Sequence, residues 1–160
     1  MTKNLSVHFS SASDDWATPQ DFFDELDKEF HFGLDVCATQ ENFKCDFFYN
    51  PFQDGLKADW QEDIECLQYD QKDYSLSIWC NPPYGREIGK WVKKASDEAA
   101  KGLATIVMLL PARTDTKYFH EYLYQKPNVE LRFIKGRLKF GGAKNSAPFP
   151  SLVAIFKTSL

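Results

Sequence analysis

The sequence predicts an α/β sandwich with a mostly parallel sheet, and three features of the pattern predict it. Helix-period segments alternate with short apolar ones, the order that strand–helix–strand units produce. Residues 103–110, LATIVMLL, are continuously apolar, as in a strand covered on both faces. Asp35, Asn81 and Pro111 each end a predicted strand, and open α/β sheets gather ligands at the carboxyl ends of their strands.

Thr18 is placed as the N-cap of the first helix, with Pro19 at its first position and Asp21 complementing the dipole in its first turn. Phe22, Phe23, Leu26 and Phe30 share one face, so the helix runs to about Phe30. Residues 31–38, HFGLDVCA, read as a short buried strand, and 45–49, CDFFY, as a second. Pro51 to Gly55 is a loop, and an acidic helix is expected from Asp59 to Leu67. Residues 75–80, SLSIWC, form a strand that two prolines terminate. Ile88, Trp91, Val92, Ala95 and Ala99 set a helix over 87–101, with Gly102 as its stop. After the 103–110 strand, a helix is expected over Thr116 to Tyr124, then strands at 129–134 and 151–157. A Gly-rich, non-helical loop joins these last two, so they pair antiparallel at the sheet edge.

The length of 160 residues suits one domain, with a polar, Ser-rich arm over 1–13 and a single domain over 14–160. Hydrophobic residues at 43% and charged residues at 26% exclude a wholly disordered chain. No apolar run approaches a membrane span, and the N-terminus lacks the apolar stretch of a signal peptide, so a cytoplasmic protein is expected. The four Cys form no CxxC pair and only three His accompany them; reduced thiols are expected, and no metal site. The net charge of −4 conceals an asymmetry. Residues 1–85 carry 17 acidic and 5 basic side chains, whereas residues 86–160 carry 6 acidic and 14 basic. Either the second half presents a basic face to a nucleic acid, or the two halves interleave and cancel.

Asn81-Pro82-Pro83-Tyr84 is the strongest chemical signal. Proline holds φ near −65° and has no N–H, so the Pro82 carbonyl is presented on a stiff backbone. The Asn81 side-chain oxygen can stand beside it as a second acceptor. Together they form a clamp for an –NH2 group, and Tyr84 adds an aromatic face. A planar conjugated amine, such as the exocyclic N6 of adenine, is the ligand such a receptor fits. An isolated Asn-Pro pair would be an ordinary turn; following a buried strand directly, the motif is far more specific.

Here the sequence resembles the NPPY-type amino-methyltransferases, and more narrowly the small phage DNA N6-adenine methyltransferase (Dam) family. The resemblance runs from Trp16 to Phe156 and is carried by WATPQDFFDEL (16–26), LDVCA (34–38), DGLKADW (54–60), IWCNPPYG (78–85), LLPARTDT (109–116) and IKGRLKF (134–140). It implies a Rossmann-like methyltransferase sandwich with an antiparallel edge strand, S-adenosylmethionine as methyl donor and double-stranded DNA as acceptor. It also implies catalytic roles for Asn81, Pro82, Pro83 and Tyr84, and a phage or restriction-modification setting inside a bacterial host. Asp35, with Ala38 in the same segment, marks the cofactor motif, although the usual glycines are missing from DVCATQEN. Thr18-Pro19 resembles an element near the cofactor carboxylate. Asp59-Trp60 resembles a pair that holds the cofactor's adenine; an exposed Asp and a core Trp is the equally good alternative. Asn50 is the nearest candidate for the ribose. Phe140 falls where related enzymes carry an aromatic against the flipped base. Arg113, Arg137 and Lys139 follow strand ends in the basic half and are candidates for DNA phosphates.

The implied mechanism is direct transfer. Two carbonyl acceptors polarise the amine, the base is flipped out of the duplex, and positioning does the rest. No thiol nucleophile is needed. The clamp also fits a protein glutamine or an RNA base, and the missing glycines leave open a nucleic-acid-binding module without activity. A monomer is expected.

Overall fold

The computed structural model describes residues 16–70 and 76–158; the expected arm over 1–13 lies outside them. Helix α1 (Gln20–Phe30) precedes strand β1 (Leu34–Asp35), and helix α2 (Trp60–Asp70) precedes β2 (Ser77–Cys80). Helix α3 (Ile88–Ala99) leads to β3 (Thr105–Pro111). A π-helical turn at Phe119–Leu123 then precedes β4 (Val129–Phe133) and β5 (Ser151–Phe156). The five strands form one sheet in the order β1-β2-β3-β5-β4. β1, β2 and β3 are parallel neighbours, while β5 is antiparallel to both β3 and β4. The result is a mixed α/β fold.

The last two strands do pair antiparallel at one side of the sheet, but the reversed strand β5 is not itself the edge. Its LVAIF run is buried along its whole length and takes the inner position beside β3. β4 carries Glu130 and Arg132 and is partly exposed, which suits an edge. Arg132 reaches Glu29 of α1 in two 2.7 Å bonds.

Four local expectations are corrected. Thr18 is not an N-cap: Pro19 takes that position and Thr18 is buried instead. The strand expected over 31–38 is only two residues long. His31 leaves α1 in the left-handed region, and the Asp35 carboxylate is spent on the loop that follows. Residues 45–49 make a single parallel bridge, Phe48 to Asp35, before the Asn50 turn and Pro51 end the pairing. The helix expected over 116–124 is present over residues 117–123, but winds as a π-helical turn from Phe119 to Leu123 rather than as a regular α-helix.

β2, β3 and β5 are the centre of the core, with Trp79, Ile106, Leu109 and Ile155 almost wholly buried. Phe23 and Leu26 pack α1 onto the sheet; Trp91, Val92 and Ala95 do the same for α3. The carboxyl ends of β1, β2 and β3 are thereby brought side by side.

Candidate active site

β2 is buried on both faces and delivers Asn81 directly beyond its last residue. The Asn81 amide nitrogen donates to the Trp16 carbonyl, and to the Thr18 hydroxyl at 2.9 Å. A carbonyl can only accept, so the amide is fixed with its nitrogen toward residue 16. Its oxygen, Oδ1, is left buried with no hydrogen-bond partner. Among the described residues, no donor reaches the Pro82 carbonyl either. Tyr84 is buried and donates to the Leu109 carbonyl at 3.1 Å, which anchors its ring against β3. Gly85 follows with φ 146°, a conformation essentially reserved for glycine. The chain therefore turns sharply just past the tyrosine.

Two cavities flank this turn. The first, about 320 Å³, is lined by Val36, Cys37, Ala38, Asn50, Asp54, Pro83 and Trp91 among others. The second, about 790 Å³, has Trp16, Tyr84 and Phe149 among its walls. Between them a narrow cleft of about 10 Å³ holds Asn81, Asp35 and Lys44. The cleft shares Cys37 and Asn42 with the smaller cavity and Trp16 with the larger. Asn81 thus stands where the two approach.

The smaller cavity is within the range of small-molecule sites. It combines an aromatic wall, Trp91, with polar side chains at Asn42, Asn50 and Asp54 and the backbone after β1. Gly55 makes it possible: a Cβ there would lie 2.3 Å from the Val36 carbonyl and 2.7 Å from the Trp91 ring. Gly55→Ala should therefore push Trp91 or the 36–39 backbone out of place and weaken binding of any ligand in this cavity by at least about tenfold. Isothermal titration with S-adenosylmethionine checks this; unchanged affinity would show that the wall is not a binding surface.

Asp35 is 2% exposed and accepts from the Cys37 N–H at 3.2 Å and the Lys44 N–H at 3.0 Å. Burial outweighs these two bonds and pushes its carboxyl up to about 7. A buried carboxyl poised near neutrality beside an unpartnered amide oxygen is an electrostatic arrangement that a cationic ligand group would favour.

The rim of the larger cavity is basic. Arg86, Lys90, Lys93, Arg113 and Lys117 line it, against a single acid, Glu121. Lys90, Lys93 and Lys117 have local carboxylate partners in Glu87, Asp97 and Glu121. Arg86 and Arg113 form no ion pair among the described residues. The floor is aromatic: Trp16 meets Phe149 edge-on at 5.2 Å, and Tyr84 meets Phe149 at 5.6 Å.

Several candidates from the sequence are placed otherwise than expected. Trp60 is 0% exposed, donates to the Gly55 carbonyl at 2.6 Å and stacks on Trp91, so it offers no face to a ligand. Asp59 accepts from the Glu62 N–H at the start of α2 and pairs with Lys101 at 2.9 Å, away from the cavity. Phe140 is buried against Trp16 and Tyr84 and supports the floor from behind. Arg137 and Lys139 are exposed but line neither cavity. Thr18 orients Asn81, and Pro19 only starts α1. Ala38, Asn50 and Arg113 do line the cavities.

Sequence reasoning missed Trp91, Gly55, Arg86, Lys90, Lys93 and Lys117. The helical spacing of Arg86, Lys90 and Lys93, immediately after the NPPYG turn, was the available signal for the basic rim.

The family model described as DNA N-6-adenine-methyltransferase (Dam) matches residues 6–158. The chain belongs to that family. It is 34% identical over 121 residues to the DNA N-6-adenine-methyltransferase of Haemophilus phage HP1 (strain HP1c1). That alignment covers 74% of this chain and 61% of the phage protein. It is 32% identical over 107 residues to the DNA N-6-adenine-methyltransferase of Escherichia phage T1, over 66% of this chain and 39% of that one. The aligned region is thus under two thirds of either relative's length. Among the described residues there is no cluster of potential metal ligands, and no helix is long and apolar enough to cross a membrane.

Proposed function

We propose that this Dam-family chain transfers a methyl group from S-adenosylmethionine to the N6 amine of adenine in DNA, on a Rossmann-like methyltransferase fold. The observation that carries the reading is the buried, unpartnered Oδ1 of Asn81, set between a small cavity and a large basic-rimmed one. Such an oxygen is costly to leave unsatisfied, by about 1–3 kcal/mol, and an arriving amine satisfies it.

The smaller cavity fits the donor. Trp91, Asn42, Asn50 and Asp54 would hold it, with Ala38 and the backbone after β1 forming the floor and Asp35 nearby. When bound, S-adenosylmethionine supplies an activated methyl group. The protein's own contribution is to hold the acceptor. Asn81 Oδ1 and the Pro82 carbonyl accept from the two amine hydrogens, draw the amine out of conjugation and aim its lone pair across the cleft. Tyr84 and Phe149 present aromatic surface to the base, and stacking of this kind is worth about 1–3 kcal/mol per base. The proton released on methylation leaves through the open cavity to water.

The basic rim favours a nucleic acid over a protein glutamine as acceptor. Incubation with labelled cofactor and separate DNA, RNA and protein acceptors tests this. N6-methyladenine in digested DNA is the expected product, and label appearing only in RNA or protein would refute the reading. We also place the chain in the host cytoplasm, acting as a monomer; size-exclusion chromatography with and without DNA checks the latter.

The rim makes a second prediction. Removing one side chain that neutralises a phosphate lowers the slope of log K against log salt by roughly 0.9. Arg86→Ala with Arg113→Ala should bind DNA more weakly, with a slope shallower by up to about 2. Arg137→Ala with Lys139→Ala, outside the cavity, should change the slope less. The opposite ranking in a fluorescence-anisotropy salt titration would move the DNA to the 136–149 loop.

A further inference from the structure

We propose that the Tyr118 hydroxyl recognises the target adenine by donating a hydrogen bond to one of its ring nitrogens. The inference rests on the function proposed above and deepens it. Asn81 and Pro82 would hold the exocyclic amine of cytosine as readily as that of adenine, so another group must read the ring.

Three buried side-chain polar atoms among the described residues have no hydrogen-bond partner: Asn81 Oδ1, Tyr118 Oη and Ser151 Oγ. All three gather at one end of the sheet. Asn81 follows β2, Ser151 opens β5 opposite Pro111, and Tyr118 follows β3 after a short loop. Unpaired buried polar groups are rare because each is costly. Their concentration where the cavities open marks a site completed by a ligand.

Tyr118 lines the same cavity as Tyr84, and the two phenols are close enough for Tyr118 to raise the Tyr84 hydroxyl further. Burial raises the Tyr118 phenol too, so it is a donor at neutral pH. Thr116 approaches the hydroxyl and, with Arg113, opposes that rise; but the Thr116 hydroxyl gives its proton to the Arg113 carbonyl at 2.8 Å, which leaves the Tyr118 hydroxyl without a hydrogen bond of good geometry. On the α3 side the ring lies beside Gly89, where an added Cβ would stand in ordinary van der Waals contact at 3.8 Å. Tyr118 also directly precedes the π-helical turn, a geometry frequent at functional sites. A phenolic donor beside an amine clamp reads what the clamp cannot, because N1, N3 and N7 of adenine are in-plane acceptors.

The test uses duplex oligonucleotides bearing the site that the wild-type protein methylates. The target adenine is replaced in turn by its 1-deaza, 3-deaza and 7-deaza analogues, each lacking one ring nitrogen. Wild type should lose about tenfold or more in kcat/KM on one of the three. Tyr118→Phe should lose about the same on adenine and show no further loss on that analogue. Equal rates for Tyr118→Phe and wild type on adenine would overturn the assignment. So would a deaza penalty that persists undiminished in the variant. A wild-type protein that methylates no adenine in any DNA would instead overturn the proposed function, and this inference with it.

Discussion

Asn81→Ala is expected to lower methyl transfer to DNA by about 100-fold or more while leaving S-adenosylmethionine affinity nearly unchanged. The variant removes one of the two acceptors proposed for the amine and leaves the Pro82 carbonyl in place. The remaining acceptor holds the amine without fixing its lone pair, and misplacement of that kind accounts for most of the fall in rate. The cavity proposed for the donor is lined by other residues, so binding and turnover must separate. Single-turnover rates alongside calorimetric titration measure both. A near wild-type rate would reduce NPPY to a structural turn. Asn81→Asp should also be poor, because a carboxylate would face the Trp16 carbonyl and the Thr18 hydroxyl where the amide now donates.

The second large effect is on stability. Asp35 has an ordinary value of 3.8 and stands at about 7 in the folded protein. Between these pH values the folded state holds a proton that the unfolded state has released. The stability from the neutral carboxyl is therefore complete below about pH 3.8 and is lost as pH rises through about 7. The gap corresponds to on the order of 4 kcal/mol. Asp35→Asn stays neutral throughout, so wild type should lose stability relative to it across that window and then run parallel above it. The absolute offset is smaller, because the amide can accept only one of the bonds from Cys37 and Lys44. Urea unfolding of both proteins from pH 4 to pH 9 checks the shape. A flat difference would mean that Asp35 is ionised and well solvated.

The α/β class and the largely parallel sheet were legible in the sequence, since continuous apolar runs such as LATIVMLL have few other uses. The NPPY turn was legible for a similar reason: prolines after a buried strand constrain the backbone locally. What was not legible depends on distant partners. Nothing near Thr18 says that its hydroxyl serves Asn81, 63 residues away, rather than its own helix. Trp60 and Trp91 are equivalent by composition, and only packing decides that Trp91 faces the cavity while Trp60 lies behind it. Phe140 was misplaced for the same reason. The inner position of β5 was also out of reach, because the loop before it fixed direction but not neighbour.

That inner position has a consequence for biosynthesis. β3 is complete at Pro111, but the partner that covers one of its edges begins only at Ser151, 40 residues later. At roughly 5–20 residues per second, a ribosome needs about 2–8 seconds to supply it. Throughout that interval the nascent chain carries TIVMLLP, an apolar ribbon with one row of backbone groups unpaired, and β4 cannot shield it because β4 docks only on β5. The centre of the sheet is therefore sealed last, and the chain should depend on chaperones most while the 134–150 loop is being made.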